Sequence, residues 1–226
     1  MDTEILIEFI VLTIIYLCLT NWFQLFNFLS VIVDSKHKTS SVNDQWIKST
    51  VKKKTGLSLL DITIFHDKRM YGMMAGLPFW PKLIISEGLY KSFNKDEMEW
   101  VILHEAGHCV LWHNLQSLLV EILILSLGIY TIWISNIPLL VIPLCSIFFS
   151  IVSVQIIRWG IEYVADKYSI DRVDNLNGVI TAQDKFRLAH DETLFSEKSI
   201  LRFLFHWNIY PSRRISMAKG KLNEQR

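Results

Sequence analysis

The sequence predicts a mainly α-helical chain with a small β-hairpin or sheet beside its central helix and three apolar helices long enough to cross a bilayer. Three observations carry that expectation. Two long runs carry no charged residue: 25 residues from Phe9 to Val33 and 36 from Ile122 to Ile157. Between them, Trp100, Val101, Leu103, Val110, Leu111 and Leu115 supply the apolar positions of a largely buried helix. Finally, 51% hydrophobic content with a mean hydropathy of +0.29 coexists with 20% charged residues, so the apolar excess is concentrated in segments.

The first run, within residues 1–33, reads as a retained anchor. Asp2 and Glu4 precede it instead of lysines, and no small-x-small cleavage site follows. Asn21, Gln24 and Asn27 form a polar stripe suited to a helix partner or a water-filled cavity. Residues 34–115 open with Lys36, Lys38, Lys48, Lys52, Lys53 and Lys54. Within them, Ile62-Thr63-Ile64-Phe65 and Leu83-Ile84-Ile85 read as two short strands. An exposed edge there could bind an extended peptide by strand addition; a sheet that merely covers the central helix is an equal reading. Asn94 followed by Glu97 is a capping box that starts this helix near Lys95 and runs it toward the second apolar region.

That second region is too long for one span and breaks at Ser135-Asn136-Ile137-Pro138, a turn signal. It reads as a helical hairpin over residues 116–157, with spans 116–135 and 137–157. Glu121 is expected near the interface or facing the protein interior. Residues 158–226 begin with a helix near Arg158, and 178–190, 196–207 and 211–222 pattern as short amphipathic helices. Lysines follow the first span, Arg158 follows the third, and the hairpin turn is uncharged. The positive-inside rule thus puts the amino terminus outside, and 34–115 and 158–226 in the cytoplasm.

The chemistry concentrates at His104-Glu105-Ala106-Gly107-His108. Two histidines four apart stand on one helix face and can share one Zn²⁺. Glu105 is rotated by about 100° from His104 and can serve as general base beside an open coordination position. A catalytic zinc keeps three protein ligands. Glu162 is the best third candidate, and Asp166, one turn later, can orient a ligating histidine. A solvated face with Asp166 paired to lysine is the alternative for that pentapeptide alone. Cys18, Cys109 and Cys145 are far apart and read as small buried hydrophobes, neither a disulfide framework nor thiolate ligands. A net charge of +1 without a basic-aromatic patch gives no sign of a nucleic-acid partner.

His-Glu-x-x-His, a hydrophobic double span and then Glu162-Tyr163-Val164-Ala165-Asp166 together resemble the membrane zinc metallopeptidases of the HtpX and CAAX prenyl protease type. The stretch from Met74-Ala75-Gly76 to Leu83-Ile84-Ile85-Ser86-Glu87-Gly88-Leu89 resembles that family's strand and turn ahead of the zinc helix. Pro211-Ser212-Arg213-Arg214-Ile215 resembles its "His-Pro…Arg-Ile" segment, with Tyr210 where the family has histidine and a shorter spacing to the arginine. The likeness covers residues 60 to 216. It implies a zincin-like integral membrane fold, His104, His108 and Glu162 as ligands of one Zn²⁺ per chain, Glu105 as catalytic base, and Asp166 as the matching aspartate. It also implies a site-organising role for Arg214, which joins His206, Tyr210 and Arg213 as candidate oxyanion or carboxylate-binding groups.

The expected function is zinc-dependent endopeptidase action on protein or peptide substrates, membrane proteins among them, at the cytosolic face of the bilayer, in HtpX-like quality control or processing. Two alternatives stand beside it. One is a regulatory protease that cleaves a cytosolic repressor. The other is a membrane scaffold with a structural zinc, against which Glu105 argues, because a closed structural site has no use for a base.

Overall fold

The computed structural model describes residues 39–134, 141–189 and 211–225; within the two longest helices, many side chains lie outside the described set. Strands β1 (Thr39–Ser41), β2 (Asp61–Phe65), β3 (Gly72–Ala75) and β4 (Lys82–Ser86) form one sheet. The helices are α1 (Gln45–Thr55), α2 (Glu87–Ser92), α3 (Lys95–Val110), α4 (His113–Ile134), α5 (Val141–Ile170), α6 (Leu176–Ala189) and α7 (Pro211–Glu224).

The sheet differs from a simple hairpin. Its order is β1-β2-β4-β3, with β2 parallel to β4 and β3 antiparallel to β4. The two strands read from the sequence are thus the central parallel pair, Asp61 opposite Lys82 through Phe65 opposite Ser86. Both are buried at successive positions, Ile62 to Ile64 and Leu83 to Ser86, because both faces are covered, so burial does not alternate as in half-exposed strands. β3 is missed by pattern because Gly72-Met73-Met74-Ala75 has no β-branched residue.

α3 is the core of the molecule. It packs on β3, α1, α5 and α6, and Trp100, Val101, Ile102, Leu103 and Ala106 are buried along it. Its start is fixed by the expected capping box: Asn94 Oδ1 accepts from the Glu97 backbone N–H at 3.0 Å, and Glu97 Oε2 from the Asn94 N–H at 2.9 Å. Glu97 is also paired with Lys185 of α6 at 2.6 Å. The helix ends where Trp112 adopts φ 55°, a left-handed conformation that a bulky residue rarely takes. The central helix therefore does not continue straight into the next one; the axis is broken at one residue.

α5 also departs from expectation. The helix carrying Glu162 does not begin near Arg158; it is continuous from Val141 to Ile170. Gly107 of α3 lets the two helices come close, since a Cβ there would stand 3.0 Å from the Tyr168 ring. α6 and α7 correspond to two of the three short helices expected near the end; 196–207 lies outside the described residues.

The first expected span, its polar stripe, the Ser135–Pro138 break and the Glu121 side chain also lie outside the described set. Among the described residues, no helix is long and apolar enough to cross a membrane. The described part of α4 nevertheless exposes Leu115, Leu118, Leu119, Ile122, Leu123 and Leu127.

Candidate metal centre

α3 presents His104 and His108 one turn apart, and α5 presents Glu162 across from them. The three side chains form a compact triangle. His104 Nε2 and His108 Nε2 are 3.2 Å apart, and Glu162 faces both, with Oε2 3.4 Å from His104 Nε2 and Oε1 3.4 Å from His108 Nε2. A tetrahedral ion with bonds of about 2.0–2.1 Å spaces its ligands by about 3.3–3.4 Å. The contacts between neighbouring donors are thus on the scale of the ligand spacing around one such ion. Two imidazoles and a carboxylate are also a donor set that suits zinc and several other divalent ions. Among the described residues, these three form the one cluster with donor atoms close enough for a metal, all within 4.8 Å of one another.

Behind the triangle, Asp166 is fully buried, with Oδ1 2.9 Å from His104 Nδ1. The contact is close but poorly aligned, and neither atom has another hydrogen-bond partner. The carboxylate still sets which His104 nitrogen faces the cleft. Arg214 of α7 secures both acids. Its Nε donates to Asp166 Oδ2 at 2.8 Å and its terminal nitrogen to Glu162 Oε2 at 3.2 Å. The guanidinium lies 5.4 Å from the centre of the Trp100 ring, itself 5.8 Å from the His104 ring. Arg214 is thus engaged by two acids of the chain itself, and Asp166 is paired with an arginine instead of a lysine. Arg213 stands over the Tyr163 ring, 4.7 Å from its centre. His206 and Tyr210 fall outside the described residues.

Sequence reasoning missed His113. This side chain is buried, with Nδ1 3.0 Å from Nδ1 of His108, and so holds the second imidazole from the far side of the break at Trp112. At a spacing of five, the two histidines do not share a face of a continuous helix. Only the helix break brings them together.

The charges are strongly coupled. Burial works against a charged His104, but Asp166 and then Glu162 outweigh it and push the imidazole up to about 10. His108 is held down to about 3 by burial and by the His104 charge. Glu162 is brought down to about 2: burial opposes its charge, and His104, His108 and Arg214 together overcome that cost. Asp166 is likewise lowered, against its burial, by Arg214 and His104. Without metal, one proton on His104 and the Arg214 cation balance the two carboxylates. A divalent ion would take the place of that proton.

Glu105 lies against β3, next to Gly72 and the Met74 backbone. Burial raises its carboxyl to about 7, with Glu162 adding to the rise and His104, Arg214 and the Met74 backbone opposing it. Gly72 of β3 is its neighbour: a Cβ at that position would stand in ordinary contact, 3.7 Å from Glu105 Cγ. A charged or protonated carboxyl is thus kept beside the triangle and against the edge strand of the sheet.

Residues 18–179 match peptidase family M48, which is most of the chain. The chain belongs to that family of peptidases. In fold it is similar to Ste24p of S. mikatae, known from a crystal structure, with a TM-score of 0.66 at 14% identity. That likeness covers 93% of this chain and 57% of the other, so the chain spans little more than half the length of its structural relative. No curated protein matches the chain. The family match stops at residue 179, short of Arg214, whose two carboxylate contacts are a feature of the folded chain.

Proposed function

We propose that this chain is a zinc-dependent, membrane-bound endopeptidase that hydrolyses peptide bonds of protein substrates at the cytosolic membrane face, in HtpX-like quality control or processing. The observation that carries the chemistry is the convergence of His104, His108 and Glu162, with one donor atom from each within 4.8 Å of the others, and Glu105 on the same helix beside them. Zinc held there would supply Lewis acidity, polarising the scissile carbonyl and acidifying water. Glu105 takes the proton of the attacking water and passes it to the leaving amine. Asp166 and Arg214 keep the ligand set oriented and do not touch the reacting atoms. β3 is an edge strand beside Glu105, which supports binding of an extended substrate segment along it. The apolar runs, the outward leucines of α4 and the lysine distribution support the membrane assignment and the cytosolic orientation.

The test is cleavage of an unfolded protein such as casein by the full chain, purified in detergent and loaded with zinc. Glu105→Gln is expected to bind zinc as well as wild type does and to lose hydrolysis. Turnover retained at equal zinc content would remove Glu105 as the base and sink the mechanism.

A further inference from the structure

The turn between β3 and β4 takes no part in the metal site, yet it displays the most exposed aromatic side chains of the described chain. Trp80 is 65% exposed and Phe79 58%, with Leu77 beside them. The turn is rigid. Gly76 has φ +90°, and a Cβ there would lie 2.3 Å from the Trp80 carbonyl oxygen, so no other residue fits without moving the backbone. The Trp80 N–H donates to the Leu77 carbonyl at 2.8 Å, and the Leu60 N–H donates to the Pro81 carbonyl at 3.0 Å. These apolar groups are therefore held outward by a closed frame, against the usual tendency of a free loop to fold them in.

The position of the turn gives the exposure meaning. Phe79 lies 5.1 Å from the Trp80 ring and 6.4 Å from that of Trp112, centre to centre. Trp112 is the residue at which the chain breaks from the metal helix into α4. From it the apolar surface continues along α4 through Leu115 and Leu119. At the base of the turn, charge returns at once: Lys82 and Asp61 lie opposite each other, 3.4 Å apart. An aromatic tip above a charged base, beside the first turn of an apolar helix, has the layering of a bilayer boundary. Aromatic rings favour the level between headgroups and acyl chains, and lysine favours the headgroups.

We propose that Leu77, Phe79, Trp80 and Trp112 form an interfacial anchor that inserts into the headgroup–acyl boundary of the lipid bilayer. The proposal rests on the reading of α4 as a membrane helix given above. The anchor sets the depth of the metal site. β3 runs from Gly72, beside Glu105, directly into this turn, so the edge strand and the base are held at a fixed height over the lipid.

Spin labels in the full chain, reconstituted in phosphatidylcholine vesicles, test it. With Cys18, Cys109 and Cys145 replaced by alanine, single labels go on Phe79→Cys, Leu123→Cys and Ser49→Cys. Power saturation then compares oxygen, which concentrates in lipid, with a water-soluble nickel complex. The Phe79 label is expected to show an oxygen-to-nickel accessibility ratio severalfold above that of Ser49 and approaching that of Leu123. A Phe79 label as open to nickel as Ser49, with Leu123 in lipid, overturns the anchor and leaves the membrane helix standing. A Phe79 label closed to both reagents marks a protein contact and overturns the anchor equally. If Leu123 is itself open to nickel, the membrane assignment falls and the anchor with it. Repeating the measurement at Leu77→Cys guards against disruption of the turn by the first label.

Discussion

The two halves of the metal site are built in opposite ways. The histidine half is local: one helix, capped by Asn94 and Glu97 and buried on all sides, spaces His104 and His108 by the helical repeat alone. The carboxylate half is long-range. Glu162 and Asp166 lie on a stretch of α5 whose neighbours Tyr163 and Val164 are exposed, and they are held by Arg214, 48 and 52 positions away. A motif on a rigid, buried helix needs no help to keep its spacing. Two buried acids on a partly exposed helix need a cation, because carboxylates removed from water are costly unless paired.

That contrast predicts where the site breaks. The largest effect is expected from Arg214→Ala, which removes one of the two cations that balance Asp166 and Glu162 and leaves them sharing the charge on His104. Breaking a buried pair from one side costs about 3–5 kcal/mol, so zinc content and the thermal unfolding midpoint should both fall. Arg214→Lys should recover part of each, since it restores the charge but not the two-pronged contact. An unchanged midpoint and full zinc in Arg214→Ala would show that the carboxylate half holds itself.

A smaller effect is expected from the histidine half. His113→Ala removes the partner of His108 and should weaken zinc binding on the order of 10- to 100-fold, as for other groups that orient a metal ligand. Competition with a chelator measures it. The unfolding midpoint of the metal-free protein should move less than in Arg214→Ala, and an equal drop would make His113 a packing residue only.

The smallest effect lies farthest from the metal, at the start of the same helix. Burial opposes the charge of Glu97, but Lys185 and the Asn94 cap hold its carboxyl below the ordinary 4.5. A group lowered on folding contributes stability above its unfolded value and loses it as the pH falls through the folded one. Lys185→Met should therefore cost about 1–3 kcal/mol near neutral pH, the price of an under-satisfied buried acceptor. The difference from wild type should shrink as the pH drops below 4.5. A gap between the two denaturation midpoints that stays constant from pH 7 to pH 3 would remove this pair from the acid response.

The same contrast explains what could be read in advance. His104, Glu105 and His108 declare themselves because helical spacing is a property of neighbouring residues. Glu162 and Asp166 were legible only as a second carboxylate motif in search of a partner, and Arg214 only by resemblance. Its contacts depend on how α7 folds back over α5, which no local pattern records. His113 was invisible for a different reason: the left-handed Trp112 changes the geometry that any periodic reading assumes. In the sheet, the buried β2 and β4 stood out by their apolar runs, whereas β1 and β3 are short edge strands made by pairing and not by propensity.

The positions of His108 and Glu162 in the chain carry one more consequence. They are 54 residues apart, and the end of α3, all of α4 and most of α5 lie between them. An ion bound by both residues closes that whole excursion into a ring. Tying two chain positions together removes freedom from the unfolded chain, and the gain grows slowly with the size of the loop. Such an ion would therefore also act as a clasp between α3 and α5, and stripping it would loosen that connection at the same moment that it ended the chemistry.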